Sequence, residues 1–385
     1  MRSRPPSRQV ERGIVAAVAA VLALAAAWSL SQPHGVTAAP AGADAPRAKP
    51  ARNSVYVYYY LWWTRHHWRA KLGRSYPYRA RFLPTPGSMD HGVCNPTVRF
   101  PGSEIVDIPR EGLYDQDLAR TFDRHIAQAA NAGLRGFLLS WQGTGRARQL
   151  PSSSGFNRRL DTVVDRVRAY NSSHARTFRL GLAYEAFGRY DRPASELIKD
   201  LRYFSRRYGS LAVFESSFSS KPMVMLLGSR NYIPAVGAPG AVLPHVFDAL
   251  GRSLYLVGDE TYRSYPANAP YLHASSYYWS SQDPWRNSGA RSQIATLGSQ
   301  IHADGKPWFA PVIAGFNMQL VGGQSCVPRR GLETLHEVWA MNKASNPDAW
   351  FAISWNEFVE NTYFQPSANH GSRYLDALGR LAADG

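Results

Sequence analysis

Residues 115–141 read DQDLARTFDRHIAQAANAGLRGFLLSW. Leu118, Phe122, Ile126 and Ala129 recur at three- and four-residue spacing, the pattern of a helix with one apolar face, and Gly133 is a natural stop. Residues 136–141 then run almost wholly apolar without alternation, as a strand covered on both faces does. A helix that leads within a few residues into such a strand is half of a parallel α/β repeat. Working outward, the same reading predicts strands at 55–63, 179–187, 222–228, 254–259, 270–278, 308–315 and 350–358. Helical patterns fall between them at 156–170, 194–208, 242–250, 288–303 and 330–344, and the stretch after Asp259 has room for one turn. Eight strands alternating with helices predict a (β/α)8 TIM barrel, a single domain over residues 54–385. An open doubly wound sheet is the other arrangement, but no Gly-rich dinucleotide turn follows an early strand. Residues 64–112, rich in Pro, Arg and Gly, form a long insertion after the first strand, a length usually tied to function or disorder.

The 385 residues are 44% hydrophobic and 19% charged, which argues against wholesale disorder. Lys and Arg number 44 against 28 Asp and Glu, a net charge of +16. Arg2, Arg4, Arg8 and Arg12 precede an uncharged Ala-rich run at 14–30, and an Ala/Pro-rich stretch follows at 32–53. Residues 1–31 therefore read as an export signal or, uncleaved, as a membrane anchor; either places the domain outside the cytoplasm, secreted or in the cell envelope. Residues 1–52 carry seven basic and two acidic side chains, leaving +11 spread over the domain without a Lys/Arg block. No nucleic-acid-binding signature accompanies that charge, so a solvated surface is the expectation and nucleic acid is not an expected partner. Cys94 and Cys326 are either one disulfide or a free pair, and no CxxC or Cys/His cluster suggests a zinc site.

Barrel active sites collect at the C-terminal ends of the strands. Those ends carry Tyr59 to Trp63, Ser140-Trp141-Gln142, Tyr184-Glu185, Asp259-Glu260, Tyr277-Tyr278-Trp279 and Trp355 to Glu360. Rings that stack on sugar faces, beside carboxylates that move protons, are the ingredients of a carbohydrate site. Tyr59, Trp62, Trp63, Trp141, Tyr278 and Trp279 are the candidate stacking residues, while Tyr56 and Tyr58 read as core. His66-His67 could be metal ligands, but adjacent histidines on a strand-end loop read more readily as a substrate contact or a solvated pair, with His67 the candidate. Asp259 and Glu260 either reach the site or cap the next turn.

Glu357 and Glu360 are the sharpest feature. In a turn beyond the last strand, residues three apart are neighbours, with Cβ atoms about 5–6 Å apart. Two carboxyls that close can divide labour, one donating a proton while the other stays ionised, and close spacing favours retention of configuration. Asn356 sits beside them as a further contact candidate.

Ser354-Trp355-Asn356-Glu357-Phe358-Val359-Glu360-Asn361-Thr362 resembles the S-F-N-E-W-x-E-G-T motif of glycoside hydrolase family 99. Tyr58-Tyr59-Tyr60-Leu61-Trp62-Trp63 with His67-Trp68 resembles that family's opening segment. Gly112-Leu113-Tyr114-Asp115, Ser140-Trp141-Gln142-Gly143, Tyr184-Glu185-Ala186-Phe187-Gly188-Arg189 and the stretch from Pro311 to Arg330 follow in the family's order. The resemblance implies a (β/α)8 barrel and a retaining endo-α-mannosidase-like activity without cofactor or metal. It implies Glu360 as general acid and then base, and Glu357 as the group that assists the sugar 2-hydroxyl through a 1,2-anhydro intermediate. Glu185 would contact substrate hydroxyls, and Trp141 and Tyr59 would shape neighbouring subsites. The chain departs from the pattern at Gln142, Ala186, Val359 and Asn361, where the family has Trp, Pro, His and Gly.

The expected function is an exported retaining endo-glycosidase acting on α-mannosidic or other α-linked glycans. A non-catalytic glycan-binding or polysaccharide-assembly protein on the same barrel is the alternative. No G-x-S-x-G elbow, P-loop or H-E-x-x-H motif supports another chemistry.

Overall fold

The computed structural model describes residues 53–88, 94–145, 153–185 and 193–384. The expected leader and linker, and the segment from Ala186 to Arg189, lie outside the described residues. Eight parallel strands close into a barrel: β1 (Val55–Tyr59), β2 (Gly136–Trp141), β3 (Arg179–Glu185), β4 (Met223–Leu227), β5 (Tyr255–Asp259), β6 (Ala274–Ser276), β7 (Trp308–Ile313) and β8 (Ala349–Ile353). Closure is made where Tyr56 on β1 stands opposite Gly136 on one side and Phe351 on the other.

Every predicted strand is present, but several are shorter than the apolar runs that announced them. The first ends at Tyr59 and the last at Ile353, so Tyr60 to Trp63 and Ser354 to Glu360 are loop. Helices cover the outside at Ala119–Asn131, Ser153–Ser173, Ala194–Tyr208, Val242–Leu250, Ala290–Ala303 and Glu333–Lys343, with a single turn at Tyr265–Asn268 after β5. The eighth position is filled by Arg373–Ala383, a helix the sequence reading did not mark. Phe122, Ile126 and Ala129 of the quoted helix are buried against the barrel, and the chain leaves through Gly133 at φ +85°, a conformation costly for any residue with a Cβ.

Alternation decides what each strand residue touches. Tyr56 and Tyr58 point into the barrel, where both rings meet Phe351 edge-on. Tyr56 also donates to buried Glu215, which Arg135 neutralises at the N-terminal mouth. Gly181 belongs to this crowded interior: a Cβ there would lie 2.6 Å from Leu138 and 2.9 Å from Met223.

The long insertion is ordered by a small core of its own. It contains the helix Arg65–Leu72 and a two-residue hairpin pairing Gly87–Ser88 with Thr97–Val98. Trp63, Trp68, Leu72, Tyr76, Ile105 and Ile108 pack there with Phe358 and Tyr363 of the loop that follows β8. After β7 a second small hairpin pairs Phe316–Asn317 with Cys326–Val327. Cys94 and Cys326 are joined, tying the insertion to this hairpin.

Candidate active site

The loop of residues 354–364 is cinched at its base. Ser354 N–H donates to Thr362 O, Phe364 N–H returns to Ser354 O, and the Ser354 and Thr362 hydroxyls meet at 2.9 Å. Glu357 N–H donates to Ser354 Oγ, and Val359 N–H donates to Glu357 Oε1, both at 2.9 Å. Asn361 sits at φ +62°, the left-handed region where the family pattern has glycine; asparagine is the side chain that tolerates it best after glycine. Arg329 braces the loop from behind. It donates to the carbonyls of Asn361 and Tyr363 and lies over the rings of Tyr363 and Tyr374.

Glu357, Glu360, Glu185, Tyr60 and Tyr278 form one electrostatically interacting group. Burial, and then the charge of Glu360, hold the Glu357 carboxyl above the ordinary carboxylate range. Burial and the neighbouring Glu185 do the same for Glu360. Their surroundings differ in one respect. Glu357 has a backbone N–H that steadies a negative charge, whereas Oε2 of Glu360 is buried with no hydrogen-bond partner. The two carboxyls titrate as a pair, both above the ordinary carboxylate range, so near neutrality the pair retains a proton. Glu185 accepts from Ser140 Oγ at 2.5 Å and from Gln142 Nε2 at 3.4 Å. Tyr60 and Tyr278 share a hydroxyl–hydroxyl hydrogen bond of 2.7 Å.

The expected aromatic residues divide between wall and scaffold. Trp62 stacks on Tyr60 at 4.3 Å and lies 6.2 Å from the His67 ring. His67 is buried, which drives its basicity down to about 3 and keeps the ring neutral. Trp279 stacks on Tyr277, over which Arg230 sits. Trp63 is wholly buried, stacked on Trp68, and donates from Nε1 to Asn356 O. Asn356 in turn bonds both backbone groups of Tyr60, so its role is to fasten the acid loop to the first strand's exit.

Tyr59 and Trp141 are placed elsewhere than expected. Both face the surrounding helices and are fully buried. Tyr59 OH bonds His125 Nδ1 at 2.7 Å and its ring packs on Phe122 and Phe137. Trp141 donates to Asn157 and packs on Tyr184 and Phe204. Strand alternation is the reason: their neighbours Tyr58, Tyr60, Ser140 and Gln142 take the inner face. Asp259 and Glu260 support the wall instead of joining it. Asp259 pairs with Arg230 and accepts from the backbone N–H groups of Tyr278 and Gly228. Glu260 accepts from Ser229 and Asn268.

Tyr60, Gln142 and Arg329 join this neighbourhood although none is among the expected contacts. Parity counted from Tyr56 and Tyr58 would have found Tyr60. Among the described residues, no group of three His, Cys, Asp or Glu side chains could hold a metal ion.

No family model matches the chain, and no curated protein matches it. Solved structures do. Two structures of the GH99 endo-α-mannosidase from Bacteroides thetaiotaomicron align with TM-scores of 0.61 and 0.62 at 13% and 14% identity, covering 86% of this chain and 97% of theirs. A structure titled glycoside hydrolase-like protein aligns with a TM-score of 0.59 at 13% identity, covering 90% of this chain and 97% of its own. At such identities the likeness shows a shared barrel fold.

Proposed function

We propose that this barrel is a retaining endo-acting glycoside hydrolase that cleaves an α-linked glycan, an α-mannoside or a related polymer, after export to the cell envelope or beyond. The observation that carries the reading is the pair Glu357 and Glu360 beyond the end of the last barrel strand, Glu357 buried and Glu360 partly so, electrostatically coupled and unequally solvated. The fold shared with an endo-α-mannosidase supports it.

In this reading Glu360 gives its proton to the glycosidic oxygen as the C1–O bond breaks. Glu357 takes the proton of the sugar 2-hydroxyl, whose oxygen attacks C1 from the other face and closes a 1,2-anhydro ring. Water then opens that ring at C1, passing a proton to Glu360 while Glu357 returns its proton to O2. Two inversions leave the anomeric configuration retained. Raised carboxyl pKa values suit this work near neutral pH, because a general acid must still hold its proton there. Tyr60, Trp62, Tyr278 and Trp279 supply the wall against which the sugar rings lie.

The test is product release from α-mannan and other cell-wall glycans by the wild type, Glu357→Gln and Glu360→Gln. Loss of at least a hundredfold in both variants is expected; undiminished activity in both removes the assignment. A non-catalytic binding role predicts glycan affinity with no turnover on any polymer.

A further inference from the structure

We infer that the arginine-rich rim beside Trp62 and His67 is a subsite for a negatively charged sugar residue, so that the glycan acted on carries carboxylate or phosphate groups. This rests on the hydrolase reading above and names the substrate class for the same site.

Although no Lys/Arg block occurs, the domain's charge is uneven. Residues 64–82 hold six Lys and Arg and no Asp or Glu. They leave the C-terminal end of β1, on the barrel face where the acid pair lies. The helix Arg65–Leu72 buries His67, Trp68, Lys71 and Leu72 and leaves Arg65 and Arg69 exposed. Lys71 is neutralised by Glu104, and Arg65 lies 3.6 Å from Asp115. Arg74, Arg79 and Arg81 are exposed and, among the described residues, have no carboxylate partner. Phe82, beside Arg81, is 80% exposed, a flat apolar face next to a cation.

Trp62 packs against the same apolar cluster as Tyr76 and Tyr78, and two groups at the start of this segment lack acceptors. Nε1 of Trp62 and Nε2 of His67 are buried without a hydrogen-bond partner, on rings that stack together. An indole N–H can only donate, so it calls for an acceptor from outside. The charges nearest His67 are Lys71, paired with Glu104, and Arg159, paired with Asp117, so the unpaired charge of the segment is that of the exposed arginines. A neutral sugar hydroxyl could satisfy the indole but would draw nothing from the arginines. An anionic residue uses both.

Affinity of the full chain would be measured for polygalacturonate, a phosphomannan, neutral mannan and duplex DNA, at 50 mM and 500 mM salt. The variants are the triple Arg74→Gln/Arg79→Gln/Arg81→Gln, with thermal unfolding as a folding control, and Trp62→Phe. At low salt the wild type should bind one anionic glycan at least tenfold more tightly than neutral mannan, and the better of the two identifies carboxylate or phosphate. High salt and the triple variant should each bring that ratio within about twofold. Trp62→Phe should weaken the preferred glycan several-fold, tying the rim to the site. Equal affinity for charged and neutral glycans, or a preference that survives in the triple variant, overturns the inference. DNA bound as tightly as the best glycan also overturns it, marking an unspecific polyanion surface. Charge preference without turnover on any polymer sinks the hydrolase reading and leaves the subsite standing.

Discussion

The backbone N–H of Asn317 donates to the carbonyl oxygen of Glu360 across 2.8 Å. Asn317 stands opposite Cys326 in its hairpin, and Cys326 is bonded to Cys94 in the insertion whose core holds Phe358. The disulfide thus joins two elements that both hold the acid loop. Reduction, or Cys94→Ser, should lower kcat by about tenfold or more with a smaller change in KM, since small misplacements of a catalytic group are costly. It should also destabilise the fold by roughly 2–5 kcal/mol. Turnover and thermal unfolding with and without reductant check both, and an unchanged kcat would contradict the coupling.

The acid pair should cost stability. A carboxyl whose folded pKa is raised is destabilising above its unfolded value of about 4.3, and the cost grows until the pH passes the folded value. Glu360→Gln, and likewise Glu357→Gln, should therefore raise Tm at pH 8 by the equivalent of about 1–3 kcal/mol and change little near pH 4. Thermal scans across that range decide it; a lower Tm at pH 8 would argue against buried, mutually repelling anions.

Activity should follow the same shifts. The proposed reaction requires an ionised Glu357 with a protonated Glu360, and both groups titrate above the ordinary carboxylate range. The bell of kcat/KM against pH should lie nearer neutrality than exposed carboxylates would place it. An optimum below pH 4 would be inconsistent with this site.

Tyr59→Phe tests the placement of that ring behind the barrel wall. It removes a hydroxyl bonded to buried His125, which itself bonds Glu111. A loss of about 1–3 kcal/mol is expected from the unpaired imidazole nitrogen, with KM within about twofold of wild type. A large rise in KM at unchanged stability would return Tyr59 to the substrate.

Asn361→Gly should be nearly neutral, while Asn361→Val should cost about 1–3 kcal/mol and depress kcat, because φ +62° excludes a β-branched side chain. Unfolding and turnover of the two variants make the comparison.

These placements show how far sequence carries. The eight strands were legible because both faces of each are covered, so hydrophobicity persists where a surface strand would alternate. Glu357 and Glu360 stand out in the sequence because nothing in a core explains two glutamates flanking Phe358-Val359. What failed was parity at the strand ends. Tyr59 and Trp141 look like their neighbours in composition, yet period two sends them to the helices while Tyr60, Ser140 and Gln142 turn inward. The helix Arg65–Leu72 was hidden by its arginines, and its burial depends on Trp63, Ile105 and Phe358, far apart in sequence. Pairing of Cys94 with Cys326 depends on where two loops meet, which spacing does not encode.

The placement of Arg329 over Tyr374 has a consequence for the order in which the molecule is made. Strand β1 leads synthesis but lacks a neighbour on one edge until Trp350 has emerged. The brace behind Glu360 waits longer still, for the helix that carries Tyr374. A nascent chain that has already produced both acids therefore has no footing for them. On the proposed function, catalytic competence would arrive last, as a late event in biosynthesis, once the C-terminal helix has emerged.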